Sequence, residues 1–324
     1  MATAENAKLE YEAGQAAVAM SALTDSGDRT IFTSAASIWS GRSGYAPTVR
    51  PNGLLTGGAI TPAVTNNVVN VAALTCNLAG VVTSVAGAPV TITRPAGNVA
   101  KVISITVTSA GALAALAGTD GATTAFVETR AAAGGPPLIP VGSIEIGQVR
   151  VTSSTAAAVA ASGIFSVVGL HVERADFPLF DLDYTEGAAR FLADLPAIHT
   201  GSLPKGVYAS YASPIFGEVA LASDFVPPET SHSVSSTQIY GTTLGSTSST
   251  LGQGSFTAYL TNGISDGLIG LKNETLWFRF YPDRYQASYL LTQGKLGIAR
   301  TFPAGDQIQA ACTISASAAA VEVA

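Results

Sequence analysis

Val99-Ala-Lys-Val-Ile-Ser-Ile-Thr-Val-Thr108 alternates apolar and polar side chains. Ile103, Ile105 and Val107 fall on one face and Ser104, Thr106 and Thr108 on the other, the period-two signature of a half-buried strand. The same signal recurs outward in both directions. Ile144-Glu-Ile-Gly-Gln-Val-Arg-Val-Thr152 alternates too, but its phase slips at Gly147, which predicts a bulge there. Further strands are expected around residues 68–74, 77–85, 90–93, 207–211, 234–240, 255–260, 276–281, 296–302 and 308–315. Turn chemistry separates them: Asp25-Ser-Gly-Asp28, Pro51-Asn-Gly53, Asp120-Gly121, Asn262-Gly263 and Ala304-Gly-Asp306. The fold class is therefore mainly β, of sandwich or barrel type, with little helix. One helix is expected behind Ser265, where Ile264, Leu268 and Leu271 share a face and Asn273 closes the segment. Ala188–Leu195 reads either as a second helix or as the return arm of a hairpin turning at Glu186-Gly187.

Composition narrows the function classes. The chain has 324 residues, 47% of them hydrophobic, and only 12% are charged, which excludes a freely solvated disordered chain. Aromatic residues make up 7% against 55 alanines and 33 glycines, so the cores must be built from small side chains. Five Lys and 11 Arg in a chain of net charge −6 leave no basic footprint for a sequence-reading nucleic-acid binder. The first residues carry an acid and no apolar run, unlike a secretory signal, and no stretch of 18 apolar residues predicts a membrane-spanning helix. Residues 1–165 hold 8 basic and 8 acidic side chains, whereas 166–324 hold 8 and 14. That shift, with Pro178 just beyond it, predicts two domains, 1–165 and 166–324, divided near Phe165–Asp176.

Signals for chemistry are sparse. His171, His199 and His232 have no His or Cys at ligand spacing, and no nucleophile elbow or phosphate-cradling glycine loop occurs. We therefore expect no catalytic residue, no cofactor and no metal. Asp181, Asp183 and Glu186 alternate in a weak calcium-like pattern without the remaining loop ligands, so a polar strand edge and a turn are the expectation. Trp277-Phe-Arg-Phe-Tyr281 reads as core rather than as a sugar-stacking platform. Cys76 and Cys312 sit among small or apolar residues, where buried free thiols are expected.

One segment is unlike the rest. Residues 227–254 hold a single charge and a dense run of Ser, Thr and Gly. Two readings stand: a disordered loop, or a projecting β-hairpin that orders on a neighbouring subunit. On the second reading Val234, Ile239, Tyr240, Leu244 and Leu251 are the inter-subunit contact candidates.

Residues 285–316, a strand ending in Pro303-Ala-Gly-Asp306 and followed by a strand of small and apolar residues, resemble the closing strands of major tail tube proteins from long-tailed bacteriophages. Phe225–Tyr240 and Gly134–Arg150 are similar to phage tail proteins as well. The resemblance covers about 185–324. It implies a β-sandwich tail-tube domain with a flanking helix in the C-terminal half. The β-rich N-terminal half then decorates the tube or extends its contacts. It further implies hexameric rings stacked into a conduit for DNA ejection in the virion tail, assembled in the host cytoplasm. The implied partners are further copies of the chain and the tape measure, tail terminator and tail-tip proteins, with DNA passing through the lumen without specific binding and no membrane involved. The alternative is a tail-tip or fibre protein that binds a receptor or carbohydrate.

Overall fold

The computed structural model describes residues 4–165, 179–240 and 242–324. Strands take 50% of the chain, so the expected mainly β class holds. Among the described residues the only helical segments are 3-10 turns of three residues each, Ala4–Asn6, Ala161–Gly163 and Ile269–Leu271. The expected helix behind Ser265 is thus reduced to one of these turns. Gly267 and Gly270 lower its helix propensity, and Asp266 instead accepts hydrogen bonds from the backbone of Thr261, Asn262 and Gly263 at 2.8, 3.2 and 2.7 Å. Asn273 closes the segment at φ 71°, and among the described residues no helix takes the flanking place that the resemblance implies.

The chain folds as two units, and neither is contiguous. Unit 1 comprises residues 1–17, 38–46 and 211–324, and unit 2 comprises 18–37 and 47–210. This departs from the expected division into 1–165 and 166–324. Of the expected boundary segment Phe165–Asp176, only Phe165 lies within the described residues. Charge balance misplaced the division because it reads local composition, whereas Lys8–Ala22 and Val207–Glu218 are long strands that run from one unit into the other.

In unit 1 an antiparallel sheet orders Ala222–Val226, Gly254–Tyr259, Gln309–Ala316, Tyr289–Thr301 and Thr275–Tyr281, followed by the strand that starts at Lys8. Its buried face gathers Leu9, Phe256, Leu276, Phe278, Leu296, Cys312 and Ile314. Loop 38–46 is fastened to this sheet through Glu12, which is fully buried. Its carboxylate accepts hydrogen bonds from the Ser40 hydroxyl, from Gln15 Nε2 at 2.8 Å and from the Trp277 backbone N–H at 3.2 Å. Trp277 Nε1 donates to the Trp39 carbonyl at 2.8 Å, and Trp39 stacks on Tyr211 with ring centres 5.3 Å apart.

In unit 2 three antiparallel sheets share one core of Val, Ile and Leu, including Val69, Val71, Leu74, Ile103, Ile105, Ile144 and Ile146. The largest of these sheets orders Leu113–Ala117, Lys101–Val107, Ile144–Val151 and Ile164–Phe165. Lys101–Val107 is buried on both faces from Val102 onward rather than half-buried, because its polar face covers a hydrogen-bonded network instead of meeting water. The predicted bulge is present: Ile105 pairs with Gly147 and Thr106 with Glu145, leaving Ile146 unpaired. A Cβ at position 147 would collide with Ile60. A fourth sheet pairs Phe180–Asp183 with Ala188–Phe191, which decides the open reading of 188–195 in favour of a hairpin.

Two outcomes follow from these cores. Glu12→Leu leaves the Trp277 N–H and the Ser40 hydroxyl without their acceptor, and we expect it to cost about 3 kcal/mol in denaturant unfolding. Glu12→Gln keeps an acceptor oxygen and should cost less; equal losses for the two variants would show that the hydrogen bonds are not what holds the loop. Cys76 and Cys312 are free and buried, and burial pushes their thiols up to about 11 and about 12. Both should resist alkylation in the folded protein at pH 8 and react after unfolding. Because unfolded thiols ionise first, near 9.0, stability should be full below that pH and fall as pH rises towards the folded values. A flat stability between pH 8 and 11 would contradict this burial.

Candidate functional site: an uncharged hairpin arm

Ala222–Val226 and Gly254–Tyr259 pair as the edge hairpin of the unit 1 sheet, with Val226 opposite Ser255. Their chains do not stop there. Pro227 and Pro228 supply no N–H and interrupt the ladder on one side, and Gly252 and Gly254 flank the break on the other. Pairing then resumes in Thr230–Ile239 with Thr242–Leu251, ten residue pairs from Thr230↔Leu251 to Ile239↔Thr242. The base is tied by Gly252 N to the Glu229 carbonyl and by Ala320 N to the Pro228 carbonyl, at 2.9 and 2.8 Å. At the rise of an extended strand each arm is about 34 Å long.

Of the two readings of this segment, the pairing corresponds to the projecting hairpin. Every described side chain from Glu229 to Thr250 is exposed, and 230–251 contains no Asp, Glu, Lys or Arg. One face carries a hydroxyl ladder. Ser233 Oγ meets Ser248 Oγ at 2.7 Å, Ser235 Oγ meets Ser246 Oγ at 2.6 Å, and Ser231 Oγ donates to the Thr250 carbonyl at 3.3 Å. Val234 is 76% exposed, Tyr240 is wholly exposed at the tip, and Leu251 is half-buried at the base. Ile239 and Leu244 take backbone places in the two strands opposite Thr242 and Thr237, and their side chains lie outside the described ones. Apart from each other, the two strands of the arm have no strand partner among the described residues.

The other described candidate residues occupy turns, core and arm. Among the described residues no three His, Cys, Asp or Glu side chains stand where they could hold a metal. Asp183 and Glu186 instead clamp Arg190, at 2.8 Å to Nε and 2.6 Å to Nη2, within the expected turn. His199 is buried, with Nδ1 3.1 Å from the Pro140 carbonyl, and burial holds it below the usual histidine range. His232 lies exposed in the arm, and His171 lies outside the described residues. Trp277 and Phe278 are buried, so that strand is core as expected, with Arg279 layered 3.7 Å from the Phe216 ring centre.

A cluster that the spacing rules missed lies in unit 2. Glu145 is fully buried and accepts hydrogen bonds from Ser104 Oγ, from Gln148 Nε2 at 3.3 Å and from Arg130 Nη2. Arg130 also donates to the Pro137 carbonyl at 2.6 Å, and Arg150 Nη2 donates to Gln148 Oε1 at 3.3 Å. The one sequence signal for it was an acid between two isoleucines at the point where the alternation slips.

No family model matches the chain, and no curated protein matches it at a significant level.

Chymotrypsin offers a direct test of the arm, since trypsin has no site in 230–251. In dilute, unassembled protein the first cut should follow Tyr240 and leave the two units otherwise intact. Resistance at Tyr240 while other aromatic sites are cut would show that the tip is covered within a single chain.

Proposed function

We propose that this chain is a structural subunit that assembles with copies of itself, of the kind that stacks hexameric rings into a phage tail tube. The arm carries this reading. A two-stranded ribbon alone is at best marginal in water, and this one has neither a charge nor an interior proline to blunt its edges. Natural proteins protect exposed edges unless those edges are used. A strand added from another copy satisfies the free N–H and C=O groups, and Val234, Ile239, Tyr240, Leu244 and Leu251 serve as apolar anchors.

Other features support the same reading. Tyr289–Thr301 and Gln309–Ala316, the strands that resemble the closing strands of tail tube proteins, pair antiparallel across the Pro303–Asp306 turn. Residues 51–165 carry only seven charges, which suits burial against neighbouring copies better than free projection. An excess of acids over bases lets DNA pass a lumen without sticking, because phosphate binding relies on Lys and Arg. Rings arise when one copy's arm meets a different surface of the next and the rotation closes. On this reading the protein resides in the virion tail, and tape measure, terminator and tip proteins are its further partners.

Negative-stain microscopy of the purified chain across a concentration series tests the reading. Six-fold rings or tubes are expected; discrete trimers or monomers at every concentration would overturn it. Replacing Thr230–Leu251 by a two-residue turn between Glu229 and Gly252, which already pair at the base of the arm, should leave thermal unfolding close to that of the parent while ring stacking is lost.

A further inference from the structure

We propose that unit 2 forms its own covalent strap, an ester between Ser104 Oγ and the side-chain carbonyl carbon of Gln148, made with loss of ammonia and assisted by Glu145. The two residues stand directly opposite each other in the pairing of Lys101–Val107 with Ile144–Val151, so their Cβ atoms are about 5 Å apart on one face. Both are buried, as is Glu145.

The bulge builds the site. Three residues apart on a regular strand, Glu145 and Gln148 would face opposite ways. The extra residue at Ile146 brings them to the same face, opposite Thr106 and Ser104 respectively. One carboxylate oxygen, Glu145 Oε1, then touches both groups that must exchange a proton: it accepts from Ser104 Oγ and from Gln148 Nε2. Arg130 pairs with the other oxygen, Oε2, and supplies the countercharge that a buried carboxylate needs. Arg150 Nη2 donates to Gln148 Oε1, the atom on which negative charge collects when the carbonyl carbon is attacked.

The atoms balance without oxidant or added co-reactant. Ser104 Oγ attacks Cδ of Gln148 as Glu145 takes the hydroxyl proton, giving a tetrahedral carbon whose oxyanion faces Arg150. The carbonyl re-forms, the C–N bond breaks, and Glu145 returns the proton to the departing nitrogen. Ammonia leaves, and Glu145 ends as it began. Burial of all three side chains excludes the water that would hydrolyse the ester.

Mass spectrometry decides the matter on the unmodified chain. After denaturation and trypsin, residues 102–130 and 131–150 should be recovered as one linked species, lighter than the sum of the two peptides by about 17 Da, one ammonia. Hydroxylamine should separate them, as it does an ester and not an amide. Ser104→Ala and Glu145→Gln should each give two separate peptides. Recovery of both peptides from the parent chain unlinked and at full mass would overturn the proposal whether or not the variants fold. A link that survives hydroxylamine would also overturn it.

Discussion

Each unit of this protein buries a carboxylate, and a carboxylate without water persists only where the chain returns every hydrogen bond it has lost. Glu12 in unit 1 and Glu145 in unit 2 meet that condition in parallel ways. Each is fully buried on a strand, and each accepts from a serine hydroxyl distant in sequence, Ser40 or Ser104. Each also accepts from a glutamine side chain three residues further along its own strand, Gln15 or Gln148. With aromatics scarce and alanine abundant, the packed area per residue is small, so directional bonds of this kind matter more to register than they would in a bulkier core. They also set where segments meet, since Glu12 reaches loop 38–46 and the backbone of Trp277 at once.

The same economy of bulk explains the treatment of edges. Several edge strands carry a blunting residue: Asp224 in Ala222–Val226, Asp181 and Asp183 in Phe180–Asp183, and Pro62 in Ile60–Pro62. The arm carries none along twenty-two residues, although it is the longest unsupported ribbon in the described chain. It continues the register of the edge hairpin below it and is separated from that hairpin only by Pro227-Pro228 and the opposing glycines. A break of this type allows the ribbon to change direction while the sheet stays regular, which is a suitable mounting for a segment that pairs outside its own chain.

Strand content, the bulge at Gly147 and the buried thiols were legible in the sequence because each depends on a few adjacent residues, whereas the hairpin at Glu186-Gly187 stood beside a helix as one of two readings until the pairing of Phe180–Asp183 with Ala188–Phe191 chose it. Alternation over ten residues reports a strand, and a slip of phase beside glycine reports a bulge. The arm was legible as a composition, Ser and Thr without charge, and its candidate anchors followed from the apolar residues left within it. What periodicity could not report was what each face meets. Ser104 and Thr106 read as a solvent face because polar residues usually are one, yet they cover Glu145 and its partners.

The helix expected behind Ser265 failed for a related reason: apolar spacing suggested it, but Asp266 hydrogen-bonds back to three preceding amides and holds a turn in its place. Local residue chemistry, then, determined that this is a mainly β protein with an uncharged, Ser- and Thr-rich segment at 230–251. Only the tertiary structure decided how the chain divides, because Lys8–Ala22 and Val207–Glu218 each serve two units and a boundary drawn on composition cannot see a strand shared in that way. The tertiary structure alone also brought Ser104, Glu145 and Gln148 together, since the first two, forty-one positions apart, are joined by cross-strand pairing and not by any property of the residues themselves.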